Sequence, residues 1–267
     1  MSWAVFRHLL RQNRLTLPVI GAAMVFWGTL MPIIYSTFGV TLRDIIVQFP
    51  MLEQFMRFGG GNMFTLPGSI GLGFIHPIAI SLLAVYAIAF PLSGVAGERQ
   101  RGTLEVVLAR PISRLRYMST LFVAGALFVA IAMAATLAGT AIGAAAMGVL
   151  GELRVENLPL LWLHGTLLYL AILAIALAMS VSFDRLAPAA GITLAIVMTA
   201  YFLQVIGSLW PDAEWLQPYS LFYYLKPEQV LVEGIQPLDL AVLALVALVA
   251  IAYALFVFPR RDLAAPA

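Results

Sequence analysis

The sequence predicts an all-α integral membrane protein with six transmembrane helices, and three observations predict it. Of 267 residues, 62% are apolar and the mean hydropathy is +0.97, whereas apolar content is about half in an ordinary soluble domain. Runs of about 20 or more apolar residues recur, each long enough to cross a hydrocarbon core roughly 30 Å thick. Charged residues make up 10% of the chain, and they gather between these runs rather than inside them. Cysteine is absent, so there is no disulfide framework and no thiolate metal site. A cleavable signal peptide is not expected. The first apolar run follows a basic amphipathic segment, is too long for a signal h-region and lacks a small-residue cleavage site.

Residues 1–14 are expected to form an amphipathic interface helix. Trp3, Phe6, Leu9 and Leu10 gather on one helical face, while Arg7, Arg11 and Arg14 gather on the other. Such a helix lies in the membrane interface with its arginines toward lipid phosphates, as a topology anchor alone or as a mechanical part. Spans follow at 15–38, 74–97, 117–150, 160–183, 186–209 and 238–258, all within one transmembrane domain, 1–267. The third is longer than a membrane needs at about 1.5 Å per residue, so it must tilt, project into water or break near Gly139 or Gly143. Spans four and five turn on Asp184-Arg185. Small residues in span three (Ala134-Ala135, Gly139, Gly143, Ala144 to Ala146) and span five (Ala187 to Gly191) invite close backbone packing, against a second subunit or within the bundle.

The charges sort by side. The N-terminus, the 98–116 loop, the 184–185 turn and the C-terminus hold eleven basic residues against four acids, and the other loops hold four basic residues against nine acids. The excess of arginine marks the cytoplasmic side, which puts both termini and the 98–116 loop in the cytoplasm. The loops at 39–73 and 210–237 then lie outside. In the first, Thr41 and Asp44 suggest a capping box opening a short outer helix through Ile45, Ile46, Phe49, Leu52, Phe55 and Met56. Pro50 would bend it, Gly59-Gly60-Gly61 would end it, and a flexible link would lead to Pro67-Gly68. The second is rich in aromatics (Trp210, Trp215, Tyr219, Phe222, Tyr223, Tyr224), a pattern that fits a headgroup belt better than an aromatic substrate site.

Several chemistries are excluded. A P-loop needs a lysine after its glycines, and the single lysine, Lys226, follows Leu225 in an outer loop. The three histidines, His8, His76 and His164, form no HExxH, and no GxSxG is present. They read as interfacial side chains with ordinary hydrogen-bond partners, so neither catalytic nor metal-ligating residues are expected. Ion-coupled carriers keep ionisable groups deep in the bilayer. Here the polar groups at depth are mainly Gln204, Tyr86, Tyr169, Tyr201 and hydroxyls.

The densest charge lies between spans two and three, where five of the fifteen basic residues occupy Glu98 to Arg116. The order there is specific: Glu98, then Gly102-Thr103-Leu104-Glu105, then Leu108-Ala109-Arg110-Pro111-Ile112-Ser113-Arg114. An acidic residue closing the second span, a Gly-Thr-Leu-Glu core and a Leu-x-x-Pro-x-Ser-Arg exit resemble the ABC-2 type permeases, the membrane subunits of ATP-binding-cassette exporters with a type V exporter-like fold. One departure is that a lysine is common shortly after the Ser-Arg pair, and Thr120 stands near that place here.

The resemblance implies that two such subunits, identical here, pair in a prokaryotic cytoplasmic (inner) membrane. Each docks a separate ATPase through a cytoplasmic coupling helix between spans two and three. The two ATPase copies bind the ATP and Mg, and this chain carries no cofactor and meets lipid, not nucleic acid. A helix from Thr103 to Arg110 would put Leu104, Val107 and Leu108 on one stripe for an apolar pocket of the partner. Arg99, Arg101, Glu105 and Arg110 would form a charged rim, Pro111 would end the helix, and Glu98 would pair with Arg114. Without the motif order, the same loop would read as a solvated positive-inside loop. The expected function is export of an amphipathic or hydrophobic substrate. The rivals are a secondary carrier or channel that works without an ATPase, and a non-transporting scaffold with a cytoplasmic docking loop.

Overall fold

A computed structural model describes residues 1–46, 62, 64–109 and 111–261. Among them the chain is helical and has no strand. In order the helices are α1 (Trp3–Gln12), α2 (Thr16–Ile46), α3 (Leu66–Ile75), α4 (Pro77–Gln100), α5 (Leu104–Leu108), α6 (Arg114–Ala146), α7 (Leu158–Ser182), α8 (Leu186–Leu209), α9 (Pro227–Glu233) and α10 (Pro237–Arg260). Six of them, α2, α4, α6, α7, α8 and α10, are long and apolar enough to cross a membrane.

The core is built on α7, which packs against α4, α6, α8 and α10 and buries Leu161, Leu168, Ile172, Leu177 and Val181. The flanking helices α8 and α10 leave large apolar side chains exposed, among them Ile192, Met198, Phe202, Leu245, Leu248 and Phe256. In water such faces would aggregate; in a bilayer they meet lipid or another helix at no cost.

Helix α6 stays unbroken for 33 residues, so of the three alternatives for the long span, a break at Gly139 or Gly143 is the one that does not occur. These glycines are contact points instead. A Cβ on Gly139 would overlap the carbonyl oxygen of Val25, and one on Gly143 would press on Thr29. The small-residue face of α6 therefore meets α2 of the same chain, and Thr29 Oγ1 donates across the seam to the Gly139 carbonyl at 3.1 Å.

Helix α4 is irregular. Val85–Ala89 and Ser93–Gly97 are wide π-type turns on either side of Phe90–Leu92. Pro91 accounts for the disturbance, since it has no N–H and its ring crowds the carbonyl one turn earlier. Freed backbone groups within a membrane must find partners, and Ser180 of α7 supplies them. Its Oγ accepts from Ala96 N at 2.9 Å and lies 3.2 Å from the carbonyls of Pro91 and Leu92.

The region after the first span differs from expectation. Thr41 and Asp44 lie inside α2, which runs on to Ile46, so they cap no separate helix. Gly39 alone does not stop it, because one internal glycine costs only about 1 kcal/mol. The rest of the expected outer helix, Phe49 to Gly61, lies outside the described residues. Pro67-Gly68, to which the expected link would lead, form the first turn of α3, capped by Thr65 Oγ1, which accepts from Gly68 N at 3.1 Å. Glu228 of α9 fixes that cap, accepting from the Thr65 hydroxyl at 2.9 Å and from Asn62 N at 2.6 Å. His76 then caps α4 with Nδ1 accepting from Ile78 N. His164, by contrast, is buried in α7 against the Leu160 carbonyl at 2.9 Å. Of the loop aromatics, Trp210, Trp215 and Tyr219 are exposed, while Phe222 is buried.

Candidate functional site

The charged cassette folds as a sequence of local motifs, each set by one residue type. Helix α4 ends in a Schellman turn: Thr103 N donates to Glu98 O at 3.0 Å and Gly102 N to Arg99 O at 2.9 Å. That closure needs a left-handed residue, and Gly102 supplies it at φ +68°. The Glu98 carboxylate stiffens the turn, accepting from Arg101 Nη2 at 2.6 Å and from the Thr103 hydroxyl. The single-turn α5 follows. After Pro111, Ser113 caps α6, its Oγ accepting from Arg116 N at 3.3 Å.

Long-range bonds fasten this loop to other helix ends. Arg99 is only 3% exposed and reaches Asp184 in the α7–α8 turn at 2.9 Å. Arg261 reaches the same carboxylate at 3.1 Å and also donates to the Val181 carbonyl. Gln100 Oε1 accepts from Leu186 N at 2.8 Å. Arg114 Nη1 donates to the carbonyls of Pro259 and Arg261, at 3.2 and 2.8 Å. Cations thus sit on the carbonyl ends of α7 and α10, where the unpaired carbonyls and the helix dipole favour them.

Four expectations change. Glu98 does not pair with Arg114. The two residues turn to local and distant partners respectively, because the Schellman turn points the carboxylate back at Arg101. Arg99 is no rim residue, since its guanidinium is buried beneath the loop. Leu104 is 1% exposed and packs into the chain's own core, with Val107 and Leu108 half-buried beside it. The stripe expected to face a partner therefore faces the bundle. The apolar side chain at the surface is Val106, 67% exposed, next to exposed Glu105. The helix is also shorter than Thr103 to Arg110, and Arg110 lies outside the described residues.

Helix α1 packs beside the cassette. Val5, Phe6 and Leu9 are buried and Leu10 half-buried, while Arg7, Arg11 and Arg14 are exposed. Trp3 is exposed rather than part of the buried stripe; it stacks on Phe6 at 5.6 Å and takes Arg7 over its ring at 5.7 Å. Thr120, which stands near the place where a lysine was expected, accepts from Ser2 N at 2.8 Å and so ties the start of α1 to α6. Between α1, α4, the cassette and α6 lies a cavity of about 850 Å³. Sequence reasoning missed this cavity along with Asp184, Gln100 and Arg261. Only the opposite charge of Asp184, in the tight turn, hinted at a partner for a cassette arginine.

No group of three His, Asp or Glu side chains suited to hold a metal ion occurs among the described residues. The cassette is a loop bonded to the α7–α8 turn and to the end of α10. A comparison with curated protein sequences finds no match. The family model described as ABC-2 family transporter protein matches residues 3–263. With nearly the whole chain matched, six apolar helices in place and the Glu98 to Arg114 order folded as one unit, the protein belongs to the ABC-2 family, membrane transport components that work in general with an ABC ATPase.

Proposed function

We propose that this chain is the permease subunit of an ABC-2 type exporter, pairing with a second identical copy in a prokaryotic inner membrane. Both termini and the Glu98 to Arg116 cassette face the cytoplasm. Two copies of a separate ATPase, which bind the ATP and Mg, dock on the paired cassettes. The chain itself makes no catalytic contribution to hydrolysis.

The observation that carries this reading is the bracing of the cassette. Its base is bonded to the α7–α8 turn and to the end of α10, while Glu105 and Val106 stand free at its surface. A push on that surface moves α4, α6, α8 and α10 together instead of bending a slack loop. The cargo is amphipathic or hydrophobic, because the middle of the spans carries hydroxyls and apolar side chains, and the buried charges Arg99 and Asp239 lie at span ends.

Affinity purification of the chain from its native membrane in mild detergent tests this, with mass spectrometry of what accompanies it. A stoichiometric ATPase is the expected result. Val106→Asp leaves the fold intact, because the side chain is exposed. It should weaken ATPase recovery about tenfold or more, the loss of roughly 1.5–3 kcal/mol of apolar burial. Glu98→Ala loosens the turn and should uncouple transport from hydrolysis. Leu104→Asp is a fold variant, not a docking one. Normal ATPase recovery and transport in both Val106→Asp and Glu98→Ala would overturn the docking claim, and transport without any ATPase would overturn the exporter reading.

A further inference from the structure

The cavity between α1, α4 and the cassette has an unusual lining. Its mouth is charged and polar, with Arg7, Arg11 and Arg101 against the single carboxylate of Glu98, and with His8 and Asn13 nearby. Its depth is apolar, reaching Val85, Ala89 and Phe90 on α4 and Leu121 on α6. Val85 lies thirteen residues before Glu98 on the same helix, which at helical rise is roughly 15–20 Å toward the middle of the membrane. The cavity is therefore a slot running from headgroup level into the hydrocarbon. The wide turns beside Pro91 line it at Val85, Ala89, Ser93 and Gly94.

We propose that this slot holds one anionic phospholipid from the leaflet at the cassette end, with an acyl chain along α4 and the phosphate among the three arginines. A water-soluble protein partner does not fill the deep part, which lies at membrane depth. A small anion has no use for it. Arg101 is engaged by Glu98 at 2.6 Å and Arg7 lies over Trp3, whereas Arg11 has no ion pair among the described residues. The headgroup is held mainly by Arg7 and Arg11, and Arg101 closes the site. The lipid then acts as a wedge between α1 and the cassette. This inference does not depend on the docking reading, since it concerns lipid retention by the chain alone.

Native mass spectrometry of the full chain, exchanged into mixed phosphatidylglycerol and phosphatidylcholine, tests it. One phosphatidylglycerol per chain should survive delipidation, preferred about tenfold or more over phosphatidylcholine, since each arginine near a membrane surface adds a severalfold factor. The double variant Arg7→Gln/Arg11→Gln should lose that preference. Ala89→Trp, at an exposed position of the slot wall, should lose retention with the arginines intact. Arg154→Gln, at the opposite end of the bundle, should change neither. Retention undiminished in both slot variants would overturn the proposal. Displacement by millimolar inorganic phosphate would reveal a soluble-anion site and overturn it.

Discussion

The two ends of the bundle use charge in opposite ways. At the cassette end, arginines bridge to backbone carbonyls and one carboxylate: Arg114 to Pro259 and Arg261, Arg261 to Val181, Arg99 to Asp184. At the other end acids accept from donors: Glu228 from Asn62 N and Thr65, Glu152 from the Tyr35 hydroxyl, and buried Asp239 from Lys226 at 3.2 Å. An excess of one sign is usually read only as a topology signal. Here the same residues also brace the helices that end at each face. At the cassette end the bonds converge on one loop, while at the opposite end they are spread over α2, α3, α9 and α10. Convergent bonds fix one loop to several helix ends, while distributed bonds fix helix ends to one another.

The largest effect that would break this contrast is loss of Arg99. Arg99→Ala removes a buried cation and leaves Asp184 to Arg261 alone. No buried charge is left unpaired, because Asp184 is more than half exposed and keeps Arg261, so the cost is that of a charge-assisted hydrogen bond, about 1.5–3 kcal/mol. Thermal unfolding in detergent should fall by several degrees. Arg99→Met/Asp184→Asn should recover part of it. If Arg99→Ala melts like the wild type, the convergent bracing has no energetic content.

Lys226→Ala probes the opposite end. It strands the buried Asp239 carboxylate and is expected to cost about 1–3 kcal/mol, while ATPase recovery stays at the wild-type level. Equal loss of ATPase in Lys226→Ala and Arg99→Ala would mean that both variants act through stability alone. A smaller effect separates turn geometry from side-chain chemistry. Gly102→Val forces a β-branched residue into the left-handed region at about 1–2 kcal/mol, whereas Gly102→Asn, which tolerates that region, should be nearly silent. Val and Asn behaving alike in unfolding measurements would remove the Schellman turn from the account.

How much of this was legible in the sequence depended on range. The six spans followed from apolar runs, and the local logic of the cassette was written in its order. Glu98, Gly102, Thr103 and Ser113 each have a reason within a few residues. What spacing cannot carry is which way a short helix rolls. Leu104, Val107 and Leu108 formed a stripe on paper, yet whether it met a partner or the core depended on α4 and α6 closing beneath it. Partners 85 and 145 residues away, Asp184 for Arg99 and Pro259 for Arg114, were invisible for the same reason. The glycines of α6 are legible as small, but the α2 backbone that they admit is not, because it is remote in sequence.

The smallest effect sharpens the contrast by pH. His76 caps α4 at the end opposite the cassette, its Nδ1 accepting from Ile78 N and its ring 4.9 Å from Trp27. Burial lowers its pKa below the usual 6.5. The unfolded chain therefore binds the proton more readily than the folded one, so stability from this group is complete above 6.5 and declines as pH falls toward the folded value. Protonation also removes the acceptor, and a lost cap is worth up to about 1 kcal/mol. Unfolding between pH 7.5 and 5.5 should show a slight destabilisation that His76→Asn, which caps without titrating, abolishes. The effect is confined to the end that His76 caps, so ATPase recovery, which depends on the cassette end, should be level across it. A pH dependence that persists in His76→Asn would assign the titration to a different group and remove His76 as the pH-sensitive point of that end.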